Sequence, residues 1–514
     1  MPQYAAVDIG SNSVRLLVAE ATPAHPAPRI LRLSEERQVT RLGASVFESG
    51  AISEAAMAET CQVLERMRAI WQRYEVVGIR VVATSATRDA SNQAEFLERA
   101  AAAIGANVET ISGQEEARLV QLGVQAVWPH PQERILIVDV GGGSAELILA
   151  DHGRMAAGYS RPLGAVRLQT TFLKGSDPPA KQQIDRMRGF IQQKLEVALP
   201  RLAGREFARV IGTSASAAAV VCAVNRVPRS KRESADRMKA SRAQIRRLFL
   251  ELSKKSLAER RKVPGIGPRR AEIVIPGAAV FLAVLESLHL PSMYYSSAGV
   301  REGIVADLSQ RRVGREFSTL STEQRQVVEA LAKRYGVDVR HARKLADFAH
   351  HLYTSLEPLH RLPPFFGKML EAACYLCDIG HFISDTSHHK HSHYIVANSD
   401  LAAFTETERN LIALLCRYHR KALPNAKHSE YQLLPIEARR ALLLLIPILR
   451  MVDGLDRSRD QRVESVACEL AGDTVVLKMR SHGETNLEQW SVEQVSDPFR
   501  QIYQRELSVV VEKL

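Results

Sequence analysis

The chain has 514 residues, 46% of them apolar and 25% charged, with a formal net charge of +12. This is the balance of an ordinary globular protein and not of a disordered or fibrous one, and the length exceeds what a single hydrophobic core serves, so several domains are expected. Six cysteines over this length suit a reducing compartment better than a disulfide framework, and the longest apolar run, Ala441 to Leu449, is too short to span a bilayer.

Met1-Pro2-Gln3-Tyr4 enters a strand without a basic and then apolar leader, from which a cytoplasmic protein is expected. The first element is a turn that occurs twice. Val7-Asp8-Ile9-Gly10-Ser11-Asn12-Ser13 and Val138-Asp139-Val140-Gly141-Gly142-Gly143-Ser144 coincide on an offset of 131 positions, which also brings Leu16 onto Leu147. Each follows one apolar run and leads into another, so each reads as strand, Asp-x-Gly-x-x-Ser turn, strand. Small residues leave the N–H groups of such a turn open to phosphate oxygens, and an Asp at its edge can orient a Mg²⁺ ion on the same phosphates.

After a Pro-rich connection over Ala21 to Pro28, Ile30 to Gln38 is predicted as an edge strand. Ser53 reads as the N-cap of a helix carrying Met57, Cys61, Leu64, Met67 and Trp71 on one face. Gly78 to Thr84 is a buried strand, followed by a loop whose Arg88 either clamps phosphate or pairs with Asp89. A helix from Ser91 to Ile104 stops at Gly105, and a short strand over Asn107 to Ile111 precedes Ser112-Gly113-Gln114-Glu115-Glu116. Ser112 and Glu115 have capping-box spacing, which gives Glu115 a structural task. Glu116, one position further round the helix, is left for water activation or for the helix dipole.

In the second half Glu146 shares a strand face with Ser144 and can hold a metal directly or through water. Gly158 to Leu168 reads as a turn followed by Arg167, another phosphate-clamp candidate, and Val210 to Ser216 as a strand ending in a small-residue turn. Between Arg226 and Arg270 stand sixteen Lys and Arg against four Asp and Glu, equal to the whole net charge and suited to a polyanion. Arg269 to Leu288 is predicted as a helix, and Tyr294 to Gly303 as a strand and turn holding Arg301.

From about Arg312 the composition turns helical, with helices over Thr322–Tyr335, Val339–Leu356, Phe366–Ile379, Glu406–Tyr418 and Ile436–Val452. His341, Asp378 and Asp453 fall where an HD-type metal hydrolase would place ligands, but Cys377 stands where the His before the aspartate belongs, and a defunct or structural site is the preferred reading. The CxxC formed by Cys374 and Cys377 reads as two buried helix thiols. His388, His389, His391 and His393 form a dense cluster read as a loop; it either binds metal or phosphate or supplies hydrogen bonds at a domain contact, the last being preferred. The tail from Glu464 has alternating runs and reads as a small α+β domain.

The stretches AAVDIGSNSVRLLVAE, ATSATRDA, ISGQEEARL, IVDVGGGSAELIL, GAVRL, RRAEIVIPG, GVREGI, CDIGHFIS, HHKHSHYIVANSDL and RYHRKALP together resemble the exopolyphosphatase and guanosine pentaphosphate phosphatase family. The resemblance implies an α/β fold of duplicated ribonuclease-H-like lobes of the actin, Hsp70 and sugar-kinase superfold, at 1–122 and 123–311. An all-α HD-like domain at 312–455 and a small α+β domain at 456–514 would follow. It further implies hydrolysis of a terminal phosphoanhydride bond with Mg²⁺, or another divalent ion, and stimulation by a monovalent cation. Glu116 matches the family's general base; Asp139, Glu146 and Asp8 match its metal and water-orienting acids. Ser11, Asn12, Ser13 and Gly141, Gly142, Gly143 and Ser144 match the phosphate turns, and Arg88, Arg167, Arg270 and Arg301 the basic positions. The partners implied are inorganic polyphosphate and pppGpp or ppGpp, with a homodimer, no membrane and no specific nucleic acid. The expected activity is exopolyphosphatase, with pppGpp phosphohydrolase as the alternative and an ATP-dependent kinase or chaperone-like ATPase of the same superfold as a more distant one.

Overall fold

Apolar residues at nearly every position of Tyr4 to Ile9 and of Ile135 to Val140 require strands covered on both faces, and both segments become central strands. The computed structural model describes residues 1–22, 24, 27–202, 204–311 and 318–513. The Pro-rich connection falls in part, and the composition change near Arg312 entirely, outside the described residues. The chain divides into two compact units, Met1–Gly314 and Arg315–Leu514.

The first unit holds two mixed sheets. β1 (Gln3–Ile9), β2 (Val14–Thr22), β3 (Arg29–Gln38), β4 (Val76–Ala83) and β5 (Val108–Thr110) lie in the order β3-β2-β1-β4-β5. β6 (Arg134–Val140), β7 (Ala145–Asp151), β8 (Arg154–Arg161), β9 (Arg209–Thr213), β10 (Lys239–Ser241) and β11 (Ser292–Tyr295) lie in the order β10-β11-β9-β6-β7-β8. Apart from β10 the order is the same twice. In each sheet the first three strands are antiparallel and the next two join in parallel, so the offset of 131 positions in sequence is also a repeat of topology. The segment Gly158 to Arg161, expected as a turn, completes β8, and Arg167 follows on the helix Ala165–Phe172.

Two helices pack against one another beside the sheets, Gly113–Val127 and Val300–Gln310. Their approach is so close that a Cβ on Gly303 would stand 1.8 Å from Leu119 O. A buried ionic cluster locks this contact: Arg80 of β4 reaches Glu109 at 2.5 Å, Glu115 at 3.0 Å and Asp307 at 3.1 Å, and Arg118 reaches Glu115 at 2.7 Å and Asp307 at 2.8 Å. Ser112 caps the first helix through the Glu115 N–H at 3.1 Å, as expected. The Glu115 carboxylate joins the arginines rather than closing a capping box, because two buried guanidiniums offer stronger bonds than one N-cap amide. The outcome fixes the first turn of the helix, where Glu116 sits.

In the second unit the helices Thr322–Arg334, Val339–Ser355, Phe365–Leu376, Glu406–Tyr418 and Ile436–Leu455 follow the predicted pattern closely. The histidine cluster differs: His388–Asn398 is a helix, not a loop. β12 (Val463–Ala471), β13 (Thr474–Ser481) and β14 (Glu506–Lys513) form a sheet whose Val466, Leu477 and Met479 share one core with Leu345, Leu449 and Val452 of the helices. Cys374 and Cys377 are buried in that core, and burial pushes both thiols well above their ordinary range, so they are neutral packing groups. Among the described residues no helix is long and apolar enough to cross a membrane.

Candidate active site

The two Asp-x-Gly turns close in the same way, Gly10 N–H donating to Ser13 O at 3.2 Å and Gly141 N–H to Ser144 O at 3.0 Å. Their carbonyls are occupied from behind by helix starts. Ser11 O accepts from Gly43 at 2.7 Å and Asn12 O from Arg41 at 3.2 Å, while Gly141 O and Gly142 O accept from Ala165 and Val166 at 2.9 Å. Among the described residues no backbone acceptor takes the N–H groups of Ser11, Asn12, Gly142 or Gly143, which leaves those donors for a ligand. The turns face one another: a Cβ on Gly142 would lie 3.0 Å from Ser11 Cβ, and one on Gly143 2.7 Å from Ser11 Oγ. They share a cleft of about 360 Å³ lined by Asp8, Arg15, Glu116, Asp139, Arg270 and Arg301.

Three carboxyl groups, of Asp8, Glu116 and Asp139, line this cleft, and a fourth, of Glu146, adjoins them. Asp8, Glu116, Asp139 and Glu146 are all buried, and Oε2 of Glu116, Oδ1 of Asp139 and Oε2 of Glu146 have no hydrogen-bond partner among the described residues. Burial, followed by the charge of Glu146, raises Glu116 well above the usual carboxylate range. Burial and then Asp139 raise Glu146 to about 8, and Asp139 itself is raised to about 6, chiefly by burial. Asp8 is raised by burial against the pull of Arg15. Carboxylate oxygens left unpartnered in one pocket fit a hard divalent cation such as Mg²⁺, which would complete their coordination and remove the repulsion.

The cations are crowded in the same manner. Arg15, Arg37 and Arg270 are all pulled down by burial, and the nearby arginines add to this; Arg270 falls to about 9. Such a field is the complement of a polyanion. A second cavity of about 110 Å³ shares Asn12, Arg37, Arg232 and Arg270 with the cleft and adds Arg229 and Arg269, so the basic wall continues beyond the turns.

The residues singled out from sequence are distributed as follows. Asp8, Ser11, Asn12, Ser13, Glu116, Asp139, Gly141 to Ser144, Arg270 and Arg301 all line the cleft. Glu146 lies behind it, accepting from Ser160 Oγ at 2.8 Å. Arg301, on a helix rather than a turn, donates to Leu16 O at 3.0 Å. Arg88 does not pair with Asp89; it donates to Ile111 O and sits 3.7 Å from Glu116 Oε2. Arg167 is not among the cleft-lining residues either. It bonds Gly143 O at 2.8 Å, Ser85 Oγ at 3.2 Å and Asp89, and its guanidinium stacks 4.0 Å over the Phe47 ring. These two arginines therefore hold Glu116 and the second turn in position, a role that depends on long-range partners. Arg15 was missed, although the offset of 131 positions sets it opposite Glu146: across the strand pair one lobe presents Asp8 with Arg15 where the other presents Asp139 with Glu146. Arg37 and Arg232 were also missed, the latter counted in the basic stretch but not distinguished from its neighbours.

The model of the Ppx/GppA phosphatase family matches residues 17–312, and that of Ppx/GppA phosphatase, domain III, matches residues 324–495. Among solved structures the chain is similar to the Aquifex aeolicus PPX-GPPA enzyme, with 28% identity and a TM-score of 0.51 over 59% of this chain and 99% of that one. It is similar to an exopolyphosphatase-like protein at 26% identity and a TM-score of 0.56, covering 60% of this chain and 98% of that one. An exopolyphosphatase from Cytophaga hutchinsonii, at 24% identity, a TM-score of 0.54 and coverage of 60% and 97%, shares the fold.

Proposed function

The chain belongs to the Ppx/GppA phosphatase family, and on that premise we propose that it is an exopolyphosphatase, hydrolysing the terminal phosphoanhydride bond of inorganic polyphosphate to release orthophosphate. The observation that carries the reading is Glu116, a buried acid with an oxygen that no hydrogen bond engages among the described residues, on the wall of a cleft formed by two phosphate-type turns. Duplicated ribonuclease-H-like lobes, an HD-like helical domain and a cytoplasmic homodimer stimulated by monovalent cation belong to the same reading, carried over from the family.

In this mechanism the terminal phosphoryl group lies between the turns, its oxygens accepting from the N–H groups of Ser11, Asn12, Gly142 and Gly143. Asp139, Glu146 and Asp8 would hold Mg²⁺, which when bound neutralises charge on the phosphoryl oxygens. Glu116 accepts the proton of the attacking water through Oε2, and a raised pKa makes it the stronger base once its acidic neighbours are compensated. Arg88 keeps that carboxylate in place, and Arg15 and Arg301 take up charge that spreads over the transferred group. Arg270, Arg232 and Arg229 then lead along the leaving chain, and this basic continuation favours a long polyanion over the single triphosphate end of pppGpp. The test is kcat/KM for orthophosphate release from long-chain polyphosphate and from pppGpp on the same Mg²⁺-loaded protein. The reading expects the higher value for polyphosphate; a large preference for pppGpp would move the assignment to the alternative within the family.

A further inference from the structure

In the second unit Asp378, His381 and His388 bring one ligand atom each to within 4.8 Å of one another. His381 Nε2 stands 3.7 Å and His388 Nε2 4.0 Å from Asp378 Oδ1, and His419 Nε2 lies 3.3 Å from His388 Nε2. These separations match those between ligands that each stand about 2.0–2.2 Å from a shared cation.

The opposite edge of each ring explains why the Nε2 atoms are free to coordinate. His381 Nδ1 bonds Asp385 Oδ1 at 2.7 Å, His388 Nδ1 bonds Asp385 O at 3.2 Å, and His419 Nδ1 bonds Cys416 O at 2.6 Å. A carbonyl or carboxylate oxygen only accepts, so each ring in its neutral form carries its proton on Nδ1 and its lone pair on Nε2. Two of these lone pairs, on His381 and His388, and a carboxylate oxygen of Asp378 then share one small region, and the His419 lone pair adjoins that of His388. A single proton can join one pair of the first three atoms but not all three of them, whereas a cation satisfies all three. An outer oxygen holding the far nitrogen of each imidazole is the arrangement that accompanies histidine ligation of metals.

We infer that Asp378, His381 and His388, with His419 beside them, form a second divalent-metal site, of the nitrogen-rich type that takes Zn²⁺ or Co²⁺ and distinct from the all-oxygen site of the cleft. This is not the set an HD-type spacing suggests. His341 bonds Asp456 at 2.6 Å and Asp453 lies 3.4 Å from Arg457; both line the adjoining cavity of about 250 Å³. Only Asp378 is common to both sets, and its other oxygen is held by Arg459 at 2.5 Å. The missing His at Cys377 is thus supplied from other elements: a short 3-10 turn, the start of the helix His388–Asn398 and the end of the helix Glu406–Tyr418.

The test uses the full chain, stripped with a chelator and titrated with Co²⁺, read by its visible ligand-field spectrum. One equivalent should give the intense bands of a low-coordinate, nitrogen-containing site. His381→Ala, which removes an exposed side chain and leaves the core intact, should weaken Co²⁺ binding at least about tenfold, and His388→Ala should abolish the bands. Asp139→Asn, which disables the cleft site, should leave the spectrum unchanged. No bands in the unmodified chain, bands surviving in His381→Ala at unchanged affinity, or bands lost in Asp139→Asn would each overturn the assignment. Should His388→Ala fail to fold, His381→Ala decides.

Discussion

Exchanging the amide for the carboxyl group at Glu116 and at its neighbour Glu115 separates catalysis from architecture. Glu116→Gln conserves shape and removes one of four mutually repelling acids, so the fold should lose nothing in Tm. What it removes is the proposed proton acceptor, and loss of a positioned general base costs about 10²–10⁴ in rate, equivalent to about 3–5 kcal/mol of barrier. Glu115→Gln removes the anion that Arg80 and Arg118 share at 3.0 and 2.7 Å inside the protein. Breaking a buried pair from one side costs about 3–5 kcal/mol. With an unfolding entropy of about 2.1 cal/mol/K per residue across the unit Met1–Gly314, that lowers Tm by about 5–8 °C. The assay is initial-rate phosphate release over a range of polyphosphate concentrations, with thermal unfolding of the same preparations. Glu116→Gln should lose kcat with KM and Tm nearly unchanged; Glu115→Gln should lose Tm and, while folded, retain most of kcat. Equal losses of kcat in the two variants would refute this division of tasks.

Other consequences follow from the same geometry. The folded, cation-free protein keeps protons on Asp139 up to about pH 6 and on Glu146 up to about pH 8, whereas unfolded carboxyl groups lose them near 4. The folded state therefore binds more protons across that interval, and the contribution of these groups to stability, full at low pH, is lost as pH rises through the folded values. Mg²⁺ replaces those protons, so the rise in Tm on adding it should be larger at about pH 8.5 than at about pH 6; equal rises would contradict the four-acid site. In Gly143→Ala the new Cβ would meet Ser85 Oγ at 2.5 Å and Ser11 Oγ at 2.7 Å, pushing the turns apart. A displacement of that order costs roughly a hundredfold in kcat, and an unchanged kcat would contradict the shared cradle. Replacing Arg229, Arg232 and Arg269 together by Ala should raise KM for long chains more than for tripolyphosphate and flatten its salt dependence; an equal change for both would place the second cavity off the path of the polymer.

What could be read from the sequence was what local pattern encodes. The repeated turn predicted two equivalent strand pairs, and the sheets have the same order. Capping-box spacing assigns Glu115 a structural task and leaves Glu116 over; the structural task is there, but the Glu115 carboxylate is held by Arg80 of β4 and by Arg118 and not by the N-cap amide. Arg80 is distant in sequence, as are the partners of Arg88 and Arg167, and such contacts are invisible to spacing. The helix His388–Asn398 was missed because its buried face, His388, His389, Ser392, Ile395 and Val396, begins with polar residues and so hides the helical period. Arg15 is legible from the same offset of 131 positions, which sets it against Glu146, a position where the two copies differ in charge.

In the proposed mechanism water attacks the end phosphoryl group held between the twin turns. A single turnover of long-chain polyphosphate in ¹⁸O-labelled water, with mass analysis of the products, shows which phosphorus the water oxygen joins. One ¹⁸O per released orthophosphate, with release suppressed in Glu116→Gln, is the predicted result. Label on the shortened polymer and none in orthophosphate, or release undiminished in Glu116→Gln, would contradict it.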